Sequence, residues 1–369
     1  MRGLAGGALR CSGRNGPDGS GGALLLGGGL LALAMGAAPA NPAAPFRAGS
    51  LLVTPAPPHA GFNPLTAIPG ALAANGFPAR PPGTPRWWVK LVRTAQYVYP
   101  QLRQMNNTVT TQPAPGGRGA PSRLHSAATT GSCFTYSAPT ANWAYNMDNC
   151  YRYNAIQATW TVPTAVASLF AQSTYSTAWP GLGLGTNSSH QLFQAGSESN
   201  VTWVLDRNGW QHYTSTFPWW EVYPQYPYSE ELYSLGITPG NTLHVSVQYI
   251  FSKGQVLFTV YNESSNQYVS LYVSAGGFGG YHAEWVAERP EQGGFYSYLA
   301  NFRSVTFTGA EAESGGVWRG VGQEAPRYGS MYDASQDDAE ATDASPGGIN
   351  AAGNGFAVAY QNPGDRDKP

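Results

Sequence analysis

Between residues 131 and 310 the chain alternates short runs of aromatic and β-branched residues with clusters of Gly, Pro, Asn and Asp, and this alternation limits the folds open to it more than any other feature. Runs at 153–162, 173–179, 190–195, 201–205, 219–223, 242–249, 255–261, 268–273, 281–288 and 304–308 read as strands. Turn signals such as Asp206-Arg207-Asn208-Gly209 and Thr238-Pro239-Gly240-Asn241 separate them. No stretch of the region has the apolar spacing of an amphipathic helix. Many short strands without helices predict an all-β domain, a two-sheet antiparallel β-sandwich. In 242–248, Leu243, Val245 and Val247 alternate with His244, Ser246 and Gln248, as in a strand with one face in the core and one in water.

Outside this region the texture changes. Residues 1–40 carry Arg2, Arg10 and Arg14, an apolar run from Ala23 to Met35, and Ala38-Pro39-Ala40, the layout of a cleavable export signal. The run is short and Gly-rich for a bilayer span, and no later stretch is long and apolar enough, so the expectation is a secreted, extracellular protein without a membrane anchor after signal removal. Residues 41–130 contain eight Arg or Lys and no acid, whereas 131–369 contain nine basic and twenty acidic residues. The basic residues are scattered among Pro, Gly and Ala rather than clustered, which argues against a nucleic-acid partner. The composition of 41–130 predicts an extended, mobile linker or pro-segment, with 87–105 able to form a short helix or strand. A basic segment ahead of an acidic body favours the pro-segment, held partly by charge and weakened by salt or acid. In 311–369 Asp, Glu, Ala, Gly, Ser and Asn dominate, which predicts a disordered acidic tail.

Of the three cysteines, Cys11 would leave with the signal. Cys133 and Cys150 remain as a disulfide candidate in an oxidising compartment, with two buried thiols as the alternative. No His/Cys grouping has zinc-site spacing, and no metal or cofactor is expected.

The run at 281–288 has an unusual residue choice. The two-residue period of a strand puts His282, Glu284, Val286 and Glu288 on one face, opposite Ala283, Trp285 and Ala287. Acidic residues are depleted in strands and seldom buried without a partner. Three other segments stand out: Thr177-Ala178-Trp179-Pro180-Gly181-Leu182-Gly183, His190-Gln191-Leu192-Phe193-Gln194-Ala195-Gly196, and Phe217-Pro218-Trp219-Trp220-Glu221-Val222-Tyr223-Pro224.

Taken in order, these segments resemble the motifs of the glutamic peptidases, or eqolisins: a Trp-x-Gly loop, a strand ending Leu-Gln-x-Gly, a Trp-x-Glu-x-Tyr-Pro strand and an Ala-Glu-aromatic-x-x-Glu strand. Asn142-Trp143-Ala144, Ala158 to Pro163, and Leu299 to Phe302 add to the set, so the resemblance spans about 140–310. It implies a concanavalin-like sandwich, acid endopeptidase activity on polypeptides without a metal, a basic pro-segment of the chain's own, and a catalytic pair of one Gln and one Glu. By motif these are Gln194 and Glu288, the second acid of its strand rather than Glu284. The sequence departs from the family at Gly183, where an Asp is usual, and at Ser197-Glu198, where an Asp often follows the Gln.

The chemistry can be argued without the resemblance. Amide hydrolysis by water needs a base for the water proton and a donor for the developing oxyanion. An ionised Glu288 can take the proton and return it to the leaving amine, while the Gln194 amide can donate to the oxyanion and help hold the water. A carboxyl group near the reference pKa of about 4.3 suits such a cycle in acid. Trp179 is expected to line the cleft or to be a core aromatic, Glu221 to hydrogen-bond to Gln194, orient the water or stand solvated on its strand, Trp143 to pack in the core or wall the groove, and Glu284 to play a structural part. One alternative is a jelly-roll glycoside hydrolase using Glu284 and Glu288. Retaining glycosidases need carboxyls about 5–5.5 Å apart, and residues four apart on a strand are about 13 Å apart at Cα. The other alternative is a non-catalytic lectin-like module that uses its Trp and Tyr to bind carbohydrate.

Overall fold

The structure, a computed structural model, describes residues 44–105, 107–108, 139–168, 172–183, 191–292, 295–323, 326–333 and 338–361. The N-terminal part supplies strands β1 (Phe46–Ala48) and β2 (Leu51–Pro55), helices α1 (Pro69–Ala74) and α2 (Arg86–Thr94), then β3 (Gln96–Tyr97), β4 (Leu102–Gln104) and β5 (Asn107–Thr108). The middle of the chain runs through β6 (Trp143–Asp148), β7 (Ala155–Thr161), β8 (Thr174–Gly183), β9 (Leu192–Asp206), β10 (Gly209–Tyr223) and β11 (Tyr226–Leu232). It continues with β12 (Thr242–Ile250), β13 (Gln255–Asn262), β14 (Gln267–Ser274), β15 (His282–Glu288) and the short strands β16 (Glu291–Gln292), β17 (Phe295–Tyr296) and β18 (Tyr298–Leu299). The last part consists of β19 (Ser304–Ser314), β20 (Val317–Gly320), β21 (Arg327–Gly329), β22 (Met331–Asp333), β23 (Asp338–Pro346) and β24 (Gly355–Tyr360).

These strands build the expected sandwich of two largely antiparallel sheets. The first has the order β1-β2-β14-β13-β12-β7-β19-β24-β23-β22, with β20 on β19 and β3 on β14. The second has the order β21-β6-β15-β8-β9-β10-β11-β4, with β18 on β8. Strands β17, β16 and β5 form a small third sheet. Alternation decides what faces the inter-sheet core: Val245, Val247, Phe258 and Val260 of the first sheet join one apolar cluster with Phe193, Ala195, Trp220 and Trp285 of the second. The buried Trp285 indole is satisfied by the Gln157 carbonyl at 2.9 Å.

Four expectations are corrected. First, the runs expected as separate strands at 190–195 and 201–205 meet in one strand, β9, which starts at Leu192, because an unbroken ladder with β10 runs from Leu192–Tyr223 to Asp206–Gly209 and carries the polar stretch Ser197 to Asn200 inside it. The Asp206 to Gly209 turn closes this hairpin as expected, with Asn208 N–H donating to Asp206 Oδ1 at 2.7 Å.

Second, the N-terminal segment is not a mobile chain over 44–105. Among its Pro and Gly residues stand apolar anchors, Val53, Leu72, Phe77, Trp88 and Leu91, all buried. Strand β2 pairs with β14 and β4 with β11, so the segment extends both sheets. Two of its basic residues pair with acids of the body, Lys90 with Glu263 at 3.8 Å and Arg103 with Glu231.

Third, the face of β12 that carries His244, Ser246 and Gln248 is buried rather than wet. Helix α2 lies on part of it, with Trp87 stacked on His244 at 4.4 Å between ring centres.

Fourth, 311–361 is largely built into the sandwich rather than a disordered tail. Strand β19 continues to Ser314 and turns through Gly315-Gly316, both at positive φ, into β20. Strand β24 pairs with β19 through buried Phe356 and Val358. The acids here have partners that composition does not reveal: Gln157 Nε2 donates to Glu311 at 2.9 Å, and Arg289 pairs with Asp343 at 2.9 Å. Cys150 is disulfide-bonded, and Cys133 lies outside the described residues, as do residues 1–43 with the expected signal.

Candidate active site

The outer face of the second sheet carries the site. Pairing across β15, β8, β9 and β10 aligns its side chains in rows. Glu288 is opposite Thr177, which is opposite Glu198. Glu284 is opposite Gly181, which is opposite Gln194, which is opposite Glu221. Trp143 of β6 is opposite Glu288 on its other side. All six candidate residues, Glu288, Gln194, Trp179, Glu221, Trp143 and Glu284, have relative exposures of 0%.

Two hydrogen-bonded groups emerge. In one, Trp179 Nε1 donates to Glu288 Oε2 at 2.7 Å and Asn142 Nδ2 donates to Glu288 Oε1 at 3.3 Å. Donors on both oxygens favour the ionised carboxylate, the form a general base needs. Trp179 also meets Trp143 edge to face at 5.2 Å, which fixes the indole that does the donating. Its path off β8 exists because residue 196, in register beside it, is Gly; a Cβ there would sit 2.2 Å from the Ala178 carbonyl oxygen and 2.7 Å from Trp179 Cβ. Asn142 is held in turn by its carbonyl, which accepts from Arg289 N–H at 2.9 Å.

In the other group, Gln194 Nε2 donates to Glu221 Oε2 at 3.0 Å, and Ser229 Oγ approaches the same oxygen at 3.4 Å. Glu221 sits where the β10–β11 register shifts between Trp220 and Val222, a bulge that bends β11 and brings Ser229 within reach. Because a carboxylate only accepts, the bond to Glu221 fixes which end of the Gln194 amide is the NH2. The second N–H of that group and the carbonyl oxygen are left for other work, and the carbonyl Oε1 has no hydrogen-bond partner.

Gln194 Oε1, Trp143 Nε1 and both oxygens of Glu284 are buried on this face without a hydrogen bond among the described residues. Glu284 belongs to neither hydrogen-bonded group. Its Oε1 is 3.5 Å from His282 Nδ1, and its charge also acts on Arg327, whose pKa burial lowers while Tyr145 and Glu284 raise it. A Cβ on residue 183 would lie 2.8 Å from Glu284 Oε1, so Gly183 leaves the space that the Glu284 carboxylate fills. Glu284 and Glu288 are thus held by different neighbours. Glu198 shares the face with Gln194 and accepts from Asn200 Nδ2 at 2.7 Å. Among the described residues no group of three or more His, Cys, Asp or Glu side chains could hold a metal ion, and no helix is long and apolar enough to cross a membrane.

Sequence reasoning missed Asn142 as the second donor to Glu288; a lone Asn before a Trp has no periodicity that announces the contact. It also missed Arg289, whose buried guanidinium holds the carbonyl of Tyr332 at 2.9 Å and the carboxylate of Asp343 at 2.9 Å. Ser229 gave no signal at all, because its contact depends on the bulge.

The profile of the Peptidase A4 family matches residues 141–350, more than half of the 369-residue chain. The chain belongs to the Peptidase A4 family. Its resemblance to the glutamic peptidases, first drawn from the order of short motifs, is thereby borne out. Aspergillopepsin-2 of Aspergillus niger is 35% identical over 138 residues, which are 37% of this chain and 46% of that protein. The chain therefore spans about half the length of this relative. Among solved structures, that of Scytalido-glutamic peptidase with a peptide-based transition state analog is similar with a TM-score of 0.47 and 20% identity, over 60% of this chain and 98% of the other. The aspergilloglutamic peptidase from Aspergillus niger is similar with a TM-score of 0.41 and 25% identity, over 51% and 99%.

Proposed function

We propose that the chain is a secreted acid endopeptidase that hydrolyses polypeptides with a Glu288–Gln194 pair. The observation that carries this reading is the pair of hydrogen-bonded groups on one sheet face: a Glu288 carboxyl group that accepts from Trp179 and Asn142, and an amide fixed by Glu221 with one N–H and its carbonyl to spare. Glu288 takes a proton from water as the water oxygen bonds to the scissile carbonyl carbon. The free N–H of Gln194 stabilises the resulting oxyanion, and its Oε1 orients the water. Glu288 then gives its proton to the amide nitrogen, the C–N bond breaks, and the carboxylate is restored.

The N-terminal segment acts as a pro-segment on the same face. Met105 is packed in the apolar cluster of Trp143, Trp179, Leu192 and Trp219, and β5 pairs with β16 just beyond Glu288. Met105 and β5 therefore lie beside the pair, which supports a latent form whose cleft opens when the segment leaves. The export-signal pattern in residues 1–40 supports secretion.

The test is proteolysis of a denatured protein after incubation at about pH 3.5, near the carboxylate range. Gln194→Ala should lose roughly 10²–10³ in rate, the usual cost of an oxyanion donor. Glu288→Gln should fold and be nearly inactive; normal turnover by that variant refutes the assignment.

A further inference from the structure

The geometry points to the edge of β11 as the docking strand for an extended polypeptide substrate, with Glu231 selecting a basic side chain and the aromatic cluster beside it selecting Met or Leu two residues later. This inference rests on the peptidase reading and names the substrate class that the site takes.

The occupant on the page is the chain itself. Strand β4 lies antiparallel on β11, with Leu102 opposite Leu232, Arg103 opposite Glu231 and Gln104 opposite Glu230, and Met105 N–H donates to the Ser229 carbonyl at 2.9 Å. This is strand addition, in which main-chain bonds give affinity and alternate side chains give specificity. Arg103 and Met105 are the alternate pair on the site face. Arg103 Nε donates to Glu231 Oε2 at 2.8 Å. Glu231 is opposite Trp219 in the next ladder, so this ion pair ends a row that leads through Trp219 towards Trp179. Met105 is 8% exposed and packs into the cluster of Trp143, Trp179, Leu192, Trp219 and Val286.

The seat is coupled to the catalytic pair by short links. Ser229 accepts from Met105 through its backbone, approaches Glu221 through its hydroxyl, and Glu221 holds Gln194. Two residues beyond Met105 the chain pairs with Glu291 and Gln292, close after Glu288. A polypeptide that follows the same course lies over both members of the pair. With the segment gone, β11 has an open edge, an acid whose cation has left, and an aromatic seat without its apolar side chain. A substrate of sequence basic–any–Met/Leu restores all three.

The test uses the full chain incubated at about pH 3.5 with a denatured protein and, separately, the peptide of residues 99–108 as competitor. The peptide should slow proteolysis, whether as inhibitor or as alternative substrate. Its Met105→Asp form should compete about tenfold or more weakly, since burial of such a side chain contributes about 1.5–3 kcal/mol. Mass spectrometry of the products should show basic residues two positions before Met or Leu at one fixed subsite, and Glu231→Gln should remove the basic preference. Proteolysis with no such preference, or equal competition by the two peptides, overturns this inference alone. Absence of proteolysis in the unaltered chain overturns the peptidase reading and this inference with it.

Discussion

Acid should loosen the packing of α2 through a single histidine. His244 is 5% exposed on β12, under Trp87 at 4.4 Å and within 5.5 Å of the Tyr261 ring. Its Nε2 is 2.9 Å from Glu263 Oε2 and its Nδ1 is 2.6 Å from Thr159 Oγ1. Burial is the largest influence and lowers its pKa from 6.5 to about 4, against the raising effect of Glu263 and with a smaller lowering effect of Lys90. The unfolded chain binds the proton from pH 6.5 downward, whereas the folded chain refuses it until about 4. Stability that is complete above pH 6.5 is therefore lost as the pH falls through about 4. At 1.36 kcal/mol per pH unit, the gap between 6.5 and about 4 is worth about 3 kcal/mol. The measurement is urea unfolding of the full chain at pH 7 and pH 4, beside His244→Gln, which keeps polar atoms near Thr159 and Glu263 but does not titrate. Wild type should lose about 3 kcal/mol more than the variant over this interval. Hydrogen exchange at residues 86–94 should rise in wild type over the same interval. Equal losses in the two proteins would refute the argument, because every other titrating group is common to both.

Two further predictions concern the scaffold of the site. Gly196→Ala should lower the melting temperature sharply and abolish activity, because its Cβ would meet backbone at 2.2 Å and displace Trp179, the donor to Glu288; an unchanged melting curve would show that β8 and β9 can part there without loss. Asp343→Ala should cost about 3–5 kcal/mol in denaturant unfolding, since it removes the carboxylate that pairs with the buried Arg289 guanidinium, and Arg289→Met with Asp343→Leu should recover most of that loss.

What the sequence reveals follows from which interactions are local. The period of 242–248 and the turn at Asp206 to Gly209 are short-range patterns, and both appear in the structure as strand β12 and the β9–β10 hairpin. The polar run Ser197 to Asn200 has no strand pattern of its own; it is extended because β8 and β10 pair with it from both sides. The segment 311–361 looks disordered by composition because its acids are counted without Gln157, Asn154 and Arg289, partners more than fifty residues away. In the site, the Gln194–Glu221 bond joins two residues in direct register, which short motifs can suggest. The Asn142–Glu288 bond bridges two strand ends and Met105 arrives from another segment, so no window of sequence contains either.

The N-terminal segment touches the sandwich at two borders. Strand β2 closes the side of β14, and β4 closes the side of β11. An unpaired strand is a template for any other chain that can pair with it, and proteins blunt such borders with charge or proline. Strand β11 has Pro227, Glu230 and Glu231 for that purpose, but Gln267–Ser274 of β14 contains neither a charge nor a proline. Departure of the segment would thus uncover one guarded border and one unguarded one. While the segment stays in place, Leu51–Pro55 keep β14 from pairing with a neighbouring molecule, as Leu102–Gln104 do for β11.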